Sequence, residues 1–109
     1  MINIQDSPSV TNNEKVILHI SIRLDEEEIV RNHFNTKWGH EERHGNNPIE
    51  ANKTFEILIL AEPALYKIAV NGKHFCTFNH RMPLEMGKFF VISGKCQIQQ
   101  AQLVMNGHY

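Results

Sequence analysis

From residue 16 to residue 24 the chain alternates. Val16, Leu18, Ile20, Ile22 and Leu24 are apolar, and His19, Ser21 and Arg23 fall between the last four. Successive residues of a strand point to opposite faces. The segment therefore predicts a strand with one buried apolar row and one polar row of imidazole, hydroxyl and guanidinium. The same period recurs along the chain. Residues 29–32 predict a shorter strand, and residues 54–60 a β-branched, apolar one. Residues 66–70 and 73–78 flank Asn71-Gly72, and Asn-Gly between two such runs predicts a type I′ hairpin, since both turn residues need positive φ. Residues 89–92 and 98–104 complete the set. Gly45-Asn46-Asn47-Pro48, Pro63, Pro83 and Gly94 punctuate the gaps. No segment sustains a helical period. Many short strands in one short chain predict an all-β, antiparallel β-sandwich or jelly roll.

Composition narrows the class. At 109 residues the chain is one domain, residues 1–109, with room for a modest core. Apolar residues make up 41% and charged residues 21%, the balance of a globular chain rather than a disordered one. The net charge is −1 with Lys and Arg scattered, which excludes the concentrated basic patch of a nucleic-acid surface. No apolar run approaches the length of a membrane span, so membrane insertion is not expected. No basic segment leads into an apolar stretch at Met1, so synthesis in the cytosol is expected. Cys76 and Cys96 lack metal or redox spacing and predict two reduced thiols in or beside the core. His40 and His44 have a helical spacing in a segment without helical pattern and predict no metal site. Asp25-Glu26-Glu27-Glu28 reads as a solvated acidic turn. No nucleophile stands in an oxyanion arrangement, so an enzyme is not expected and no cofactor is implied.

Candidate chemistry gathers elsewhere. Trp38 is the single tryptophan and stands in a polar stretch, Trp38-Gly39-His40-Glu41-Glu42-Arg43, outside any apolar strand. A sugar ring is amphipathic: its C–H face packs on an aromatic plate, and its hydroxyls need charged partners in place of water. Arg23 and Arg43 each bring a planar fork. Glu41 can lock those arginines while accepting from a hydroxyl. Each residue alone reads as an ordinary surface ion pair of little consequence. Together with His19 and Ser21 they outline a site for a polyhydroxylated ligand.

These motifs resemble the galectin carbohydrate-recognition domain. That family's signature is His-x-Asn-x-Arg on one strand, an Asn on the next, then Trp-Gly-x-Glu-x-Arg. Here it stands as His19-Ile20-Ser21-Ile22-Arg23, Val30-Arg31-Asn32 and Trp38-Gly39-His40-Glu41-Glu42-Arg43. Downstream, Lys67-Ile68-Ala69-Val70-Asn71-Gly72-Lys73-His74-Phe75 and Phe78-Asn79-His80-Arg81 resemble the family's hairpin and the run that follows it, and Ile92-Ser93-Gly94-Lys95-Cys96-Gln97-Ile98 its closing strand. The likeness covers roughly residues 2 to 105. It implies a galectin-like jelly roll and a calcium-independent, non-enzymatic lectin whose partners are β-galactoside glycans or glycoproteins. It also implies a cytoplasmic protein that reaches the outside by a route without a signal peptide. Carried over, His19 and Arg23 would hydrogen-bond the axial O4 of galactose, and Asn32 and Glu41 its O6. Arg43 would join Glu41 on the neighbouring sugar, and Trp38 would stack on the galactose ring.

The chain departs from the family in three ways. Ser21 replaces the Asn of the first triplet and Ile22 the Pro after it, and the connection from Asn32 to Trp38 is shorter by one residue. Serine reaches less far and offers one donor instead of two, so a weakened site is expected. The alternative is a galectin-fold protein that has lost sugar binding and acts as a protein-interaction or structural module. Third, the chain begins late against the family pattern and is expected to lack the first strands. Uncovered sheet edges would then favour self-association, or strands supplied by a longer chain.

Overall fold

The computed structural model describes residues 1–8, 14–50, 53–93 and 104–105. The strands are β1 (Ile2–Gln5), β2 (Val16–Arg23), β3 (Glu28–Asn35), β4 (Lys37–Trp38), β5 (Ile57–Ala61), β6 (Leu65–Val70), β7 (Lys73–Asn79), β8 (Phe89–Ile92) and β9 (Val104–Met105). They form a five-stranded sheet, β4-β3-β2-β1-β8, and a four-stranded sheet, β7-β6-β5-β9. All pairings are antiparallel except the short one of β9 on β5. The single described helical turn is Leu84–Met86.

One core joins the two sheets. Ile4, Ile17, Leu18, Ile20 and Ile29 enter it from the first sheet, and Ile59, Ala61, Tyr66, Ile68, Val70, Cys76 and Phe78 from the second. Burying such side chains contributes about 1.5–3 kcal/mol each, and this is what holds the polar face of β2 in place. Cys76 is free and buried, and burial pushes its thiol pKa up. Cys96 and most of the strand expected over residues 98–104 lie outside the described residues; Val104 opens β9.

The hairpin at Asn71-Gly72 forms as its sequence dictates. Val70 pairs with Lys73, and φ is 52° at Asn71 and 80° at Gly72. The turn also resets the strand before it. Asn71 N–H donates to the Glu56 carbonyl, and its side-chain oxygen accepts from Glu56 N–H, both at 2.9 Å. Ladder pairing therefore starts at Ile57 opposite Val70, not at Thr54, and Thr54, Phe55 and Glu56 are exposed.

β2 departs from strict alternation at each end. Val16 pairs with Phe34 and His19 with Asn32, so β2 carries one residue more than β3 between those pairs. This is a β-bulge. It lets Ile17 and Leu18, both fully buried, enter the core together and leaves Val16 buried outside the core cluster. Leu24 leaves the apolar row altogether: it opens the turn to β3 and is 44% exposed. β3 in turn runs to Asn35, beyond the expected end at Asn32, because Phe34 pairs onward with Trp38.

Among the described residues Arg31 is the largest fully buried side chain. It pairs with Ile20 and so points inward with it. Its Nη1 donates to the Ile29 and His44 carbonyls at 2.8 and 2.9 Å, Nη2 lies 3.1 Å from the His44 ring, and the guanidinium stacks 5.5 Å from the centre of the Phe75 ring. These contacts tie His44 against β3.

Candidate functional site

Paired residues of neighbouring strands share a face. Asn3 of β1, His19 of β2 and Asn32 of β3 pair in one row, and Arg23 pairs with Glu28 in another. A third row is set by the bulge: Val16, Phe34 and Trp38. After Trp38 the chain returns along β3 through a single bridge, Arg31 to Glu42, closed by two backbone bonds of 2.9 Å. Glu42 faces as Arg31 does, so its neighbours Glu41 and Arg43 are turned to the opposite face, beside Arg23. The result is a shallow groove of about 500 Å3 lined by His19, Arg23, Asn32, Trp38, Gly39 and Glu41.

Trp38 is 52% exposed. Its indole is propped by the edge of Phe34, 5.1 Å between ring centres, and by His19 at 4.6 Å with the planes tilted by 56°. The short connection is the cause. Asn35 and Lys37 pair directly across Thr36, which takes φ of 63°. For a β-branched residue that is a strained backbone position. The tight turn holds the indole against the imidazole.

His19 is oriented by a relay. Its Nδ1 lies 2.7 Å from the Asn3 side-chain oxygen, Asn3 Nδ2 donates to Gln5 Oε1 at 3.1 Å, and Gln5 Nε2 donates to the Ser7 carbonyl at 2.9 Å. Since Asn3 presents an acceptor, Nδ1 carries the hydrogen and Nε2 keeps its lone pair. Burial, then the positive charges of the amino terminus and Arg23, lower the ring's pKa from 6.5 to about 4. The imidazole is therefore a neutral acceptor at neutral pH.

The outer end of the groove is an ion-pair network. Arg43 grips Glu41 Oε1 through Nε and Nη2 at 3.0 and 2.9 Å and Glu28 through Nη1 at 2.7 Å. Arg23 bridges Glu26 and Glu41, each at 3.5 Å. The hydrogen bond from Arg43 lowers the Glu41 pKa, so that carboxylate stays ionised. Glu26 and Glu28, expected as part of a solvated turn, instead hold the two arginines in place. Ser21 sits behind them, its hydroxyl accepting from Arg23 Nε at 3.3 Å.

Gly39 has a packing reason. A Cβ there would lie 2.1 Å from the His33 ring and 3.1 Å from Arg81 Nη1. Its carbonyl accepts from Asn32 Nδ2 at 2.9 Å, and its N–H donates to the His33 carbonyl at 3.1 Å. All seven residues expected at the site thus meet on one face. Five of them, His19, Arg23, Asn32, Trp38 and Glu41, line the groove; Arg43 holds Glu41 from its outer side, and Ser21 stands behind Arg23. Sequence reading missed Asn3, Gln5, Glu26, Glu28 and Arg81 as supports. Only Arg81 carried a signal, as part of the Asn79-His80-Arg81 run.

The β-sandwich thus sets an exposed indole, a neutral imidazole, an amide and locked guanidinium–carboxylate forks on one sheet face. The Galactoside-binding lectin family matches residues 1–103, and the chain belongs to that family. It is similar to the 32 kDa beta-galactoside-binding lectin of Caenorhabditis elegans, 38% identical over 94 residues, which are 85% of this chain and 33% of that protein. Human galectin-7 is 33% identical over 90 residues, covering 79% of this chain and 64% of its own. The crystal structure of the C. elegans galectin LEC-6 superposes with a TM-score of 0.73 at 31% identity, over 85% of this chain and 62% of that one. The chain spans less than two thirds of the length of each of these relatives.

Proposed function

We propose that the groove binds β-galactosides, without metal or catalysis, and with an affinity reduced by Ser21. The reading rests on the convergence of His19, Arg23, Asn32, Trp38 and Glu41 on one groove beside an exposed indole. His19 Nε2 accepts from the axial O4 hydroxyl while Arg23 donates to the same oxygen. An equatorial hydroxyl would leave the His19 acceptor without its donor and Arg23 without that oxygen, which is how the site would reject glucose. Asn32 and Glu41 address O6, Arg43 with Glu41 reaches the neighbouring sugar, and Trp38 carries the ring's C–H face. Calorimetric titration with lactose tests this. Saturable binding that disappears in Arg23→Ala supports it, and wild type and Arg23→Ala alike in binding nothing would reject it.

Ser21→Asn is expected to raise lactose affinity about five- to tenfold, the worth of one recovered hydrogen bond of about 1 kcal/mol. No gain would mean that the groove, not residue 21, limits binding. The second reading, a galectin-fold interaction module without sugar binding, is favoured by the 4.6 Å contact of Trp38 with His19. It predicts that Ser21→Asn rescues nothing.

The neutral imidazole fixes the pH dependence. Its folded-state pKa of about 4 lies below the ordinary value of 6.5, so the unfolded chain takes up this proton first on acidification. The stability that the neutral ring contributes is full above 6.5 and declines as pH falls towards about 4. Lactose affinity is expected to stay flat from neutral pH down through 6.5 and to fall only as pH nears about 4. A midpoint near 6.5 would show the ring unperturbed.

A further inference from the structure

Arg81 follows β7 of the four-stranded sheet, yet its guanidinium ends beside β3 of the other. Nη1 donates to Asn32 Oδ1 and reaches His33 Nδ1, both at 2.9 Å, and Nη2 donates to Glu42 Oε2 at 2.7 Å. The face of the fork lies 4.7 Å from the centre of the Phe78 ring. The group is thus held by three polar partners and on one face. Among the ion-paired cations of the described residues, Arg81 is the one that also stacks on a ring.

The consequence falls on Asn32, which is 3% exposed. Its side-chain oxygen accepts twice, from Arg81 Nη1 and from His33 N–H at 2.8 Å. Turning the amide over would set its NH2 against both donors. The oxygen is therefore locked inward, and Nδ2 is locked towards the groove. One Nδ2 hydrogen goes to the Gly39 carbonyl. The other is left for the groove that Asn32 lines.

We propose that Arg81 is a positioning residue of this groove: it fixes the polarity of the Asn32 amide, so that the site offers an N–H donor and selects a ligand oxygen that accepts. This rests on the galactoside reading, in which that oxygen is O6. Without Arg81 the amide keeps only the His33 N–H and Gly39 carbonyl contacts, its hold on that orientation weakens, and the acceptor preference falls while the rest of the groove remains.

The test uses lactose and lactose lacking the galactose 6-hydroxyl, titrated into wild type, Asn32→Ala, Arg81→Met and Arg81→Lys. Arg81→Lys keeps a charge near Glu42 but lacks the planar fork that spans Asn32, His33 and Glu42, and serves if Arg81→Met does not fold. Wild type is expected to lose about five- to tenfold in affinity with the deoxy sugar. Asn32→Ala is expected to bind lactose weaker by a similar factor and to treat the two sugars alike, and the Arg81 variants to bind lactose more weakly and to discriminate between the two sugars less than wild type. An Arg81 variant that keeps the full 6-hydroxyl preference, or weakens both sugars equally while keeping their ratio, overturns the proposal. A ligand-free readout separates the two claims. The Asn32 side-chain amide signals in a 15N NMR spectrum, identified by their loss in Asn32→Ala, are expected to be dispersed in wild type and to collapse towards free-amide positions in the Arg81 variants. Unmoved signals overturn the positioning role. Dispersed signals that collapse as expected, in a wild type that ignores lactose, uphold the positioning and reject the galactoside reading instead.

Discussion

Arg31→Ala is expected to cost this protein about 3 kcal/mol or more of stability, a large share of what a domain of this size has. The side chain is fully buried, and its removal opens a cavity between the sheets. It also leaves the Ile29 and His44 carbonyls without the donor that satisfies them at 2.8 and 2.9 Å. Buried acceptors left unpaired add roughly 1–3 kcal/mol each. For a domain near this length, each kcal/mol moves the unfolding midpoint by about 4–8 °C, so the midpoint should fall by roughly 12 °C or more. Arg31→Met fills part of the space and should recover about half of that loss. Thermal unfolding followed by circular dichroism measures both. A shift of less than about 4 °C in Arg31→Ala would mean that the inward guanidinium holds nothing together.

Trp38→Ala is expected to do the reverse. The indole is half-exposed on a two-residue strand and touches Phe34 and His19, so its loss should cost less than about 1 kcal/mol of stability. In the groove it offers the only broad apolar surface among the described lining residues. Covering a sugar's C–H face against it is worth about 2 kcal/mol, and its loss should weaken lactose roughly thirtyfold. Trp38→Phe should retain part of the affinity. A Trp38→Ala variant that binds lactose as wild type does would remove the stacking surface from the account. The two substitutions are therefore expected to separate the parts of the molecule, Arg31 serving the fold and Trp38 the proposed ligand.

That division was only partly legible along the chain. The polar row of His19, Ser21 and Arg23 stands out because it interrupts an apolar alternation, and strand geometry alone sends it to one face. Asn71-Gly72 names its own turn. Trp38 announces its exposure by its polar neighbours. The bulge in β2 left no such mark, because Val16, Ile17 and Leu18 are all apolar and either register buries two of them. Parity did mark Arg31: it shares a face with Ile29, a core residue. A charge read one residue at a time is assigned to the surface, and only the ladder shows that it is inside. Glu26 and Glu28 read as a solvated run until the hairpin places Glu28 opposite Arg23. Arg81 lies far from Asn32 in sequence, and no local pattern links them. The later start of β5 was hidden for a similar reason, since Asn71 takes up the backbone of Glu56 from across the sheet.

The account turns on a sheet face where a single indole lies beside an imidazole, an amide and two guanidinium–carboxylate forks. Intrinsic fluorescence reads that face without a label, because Trp38 is the only tryptophan. Lactose is predicted to shift or quench the emission saturably, sucrose to leave it unchanged, and Arg23→Ala to abolish the lactose response. Emission indifferent to lactose, or responding equally to both sugars, would contradict the account.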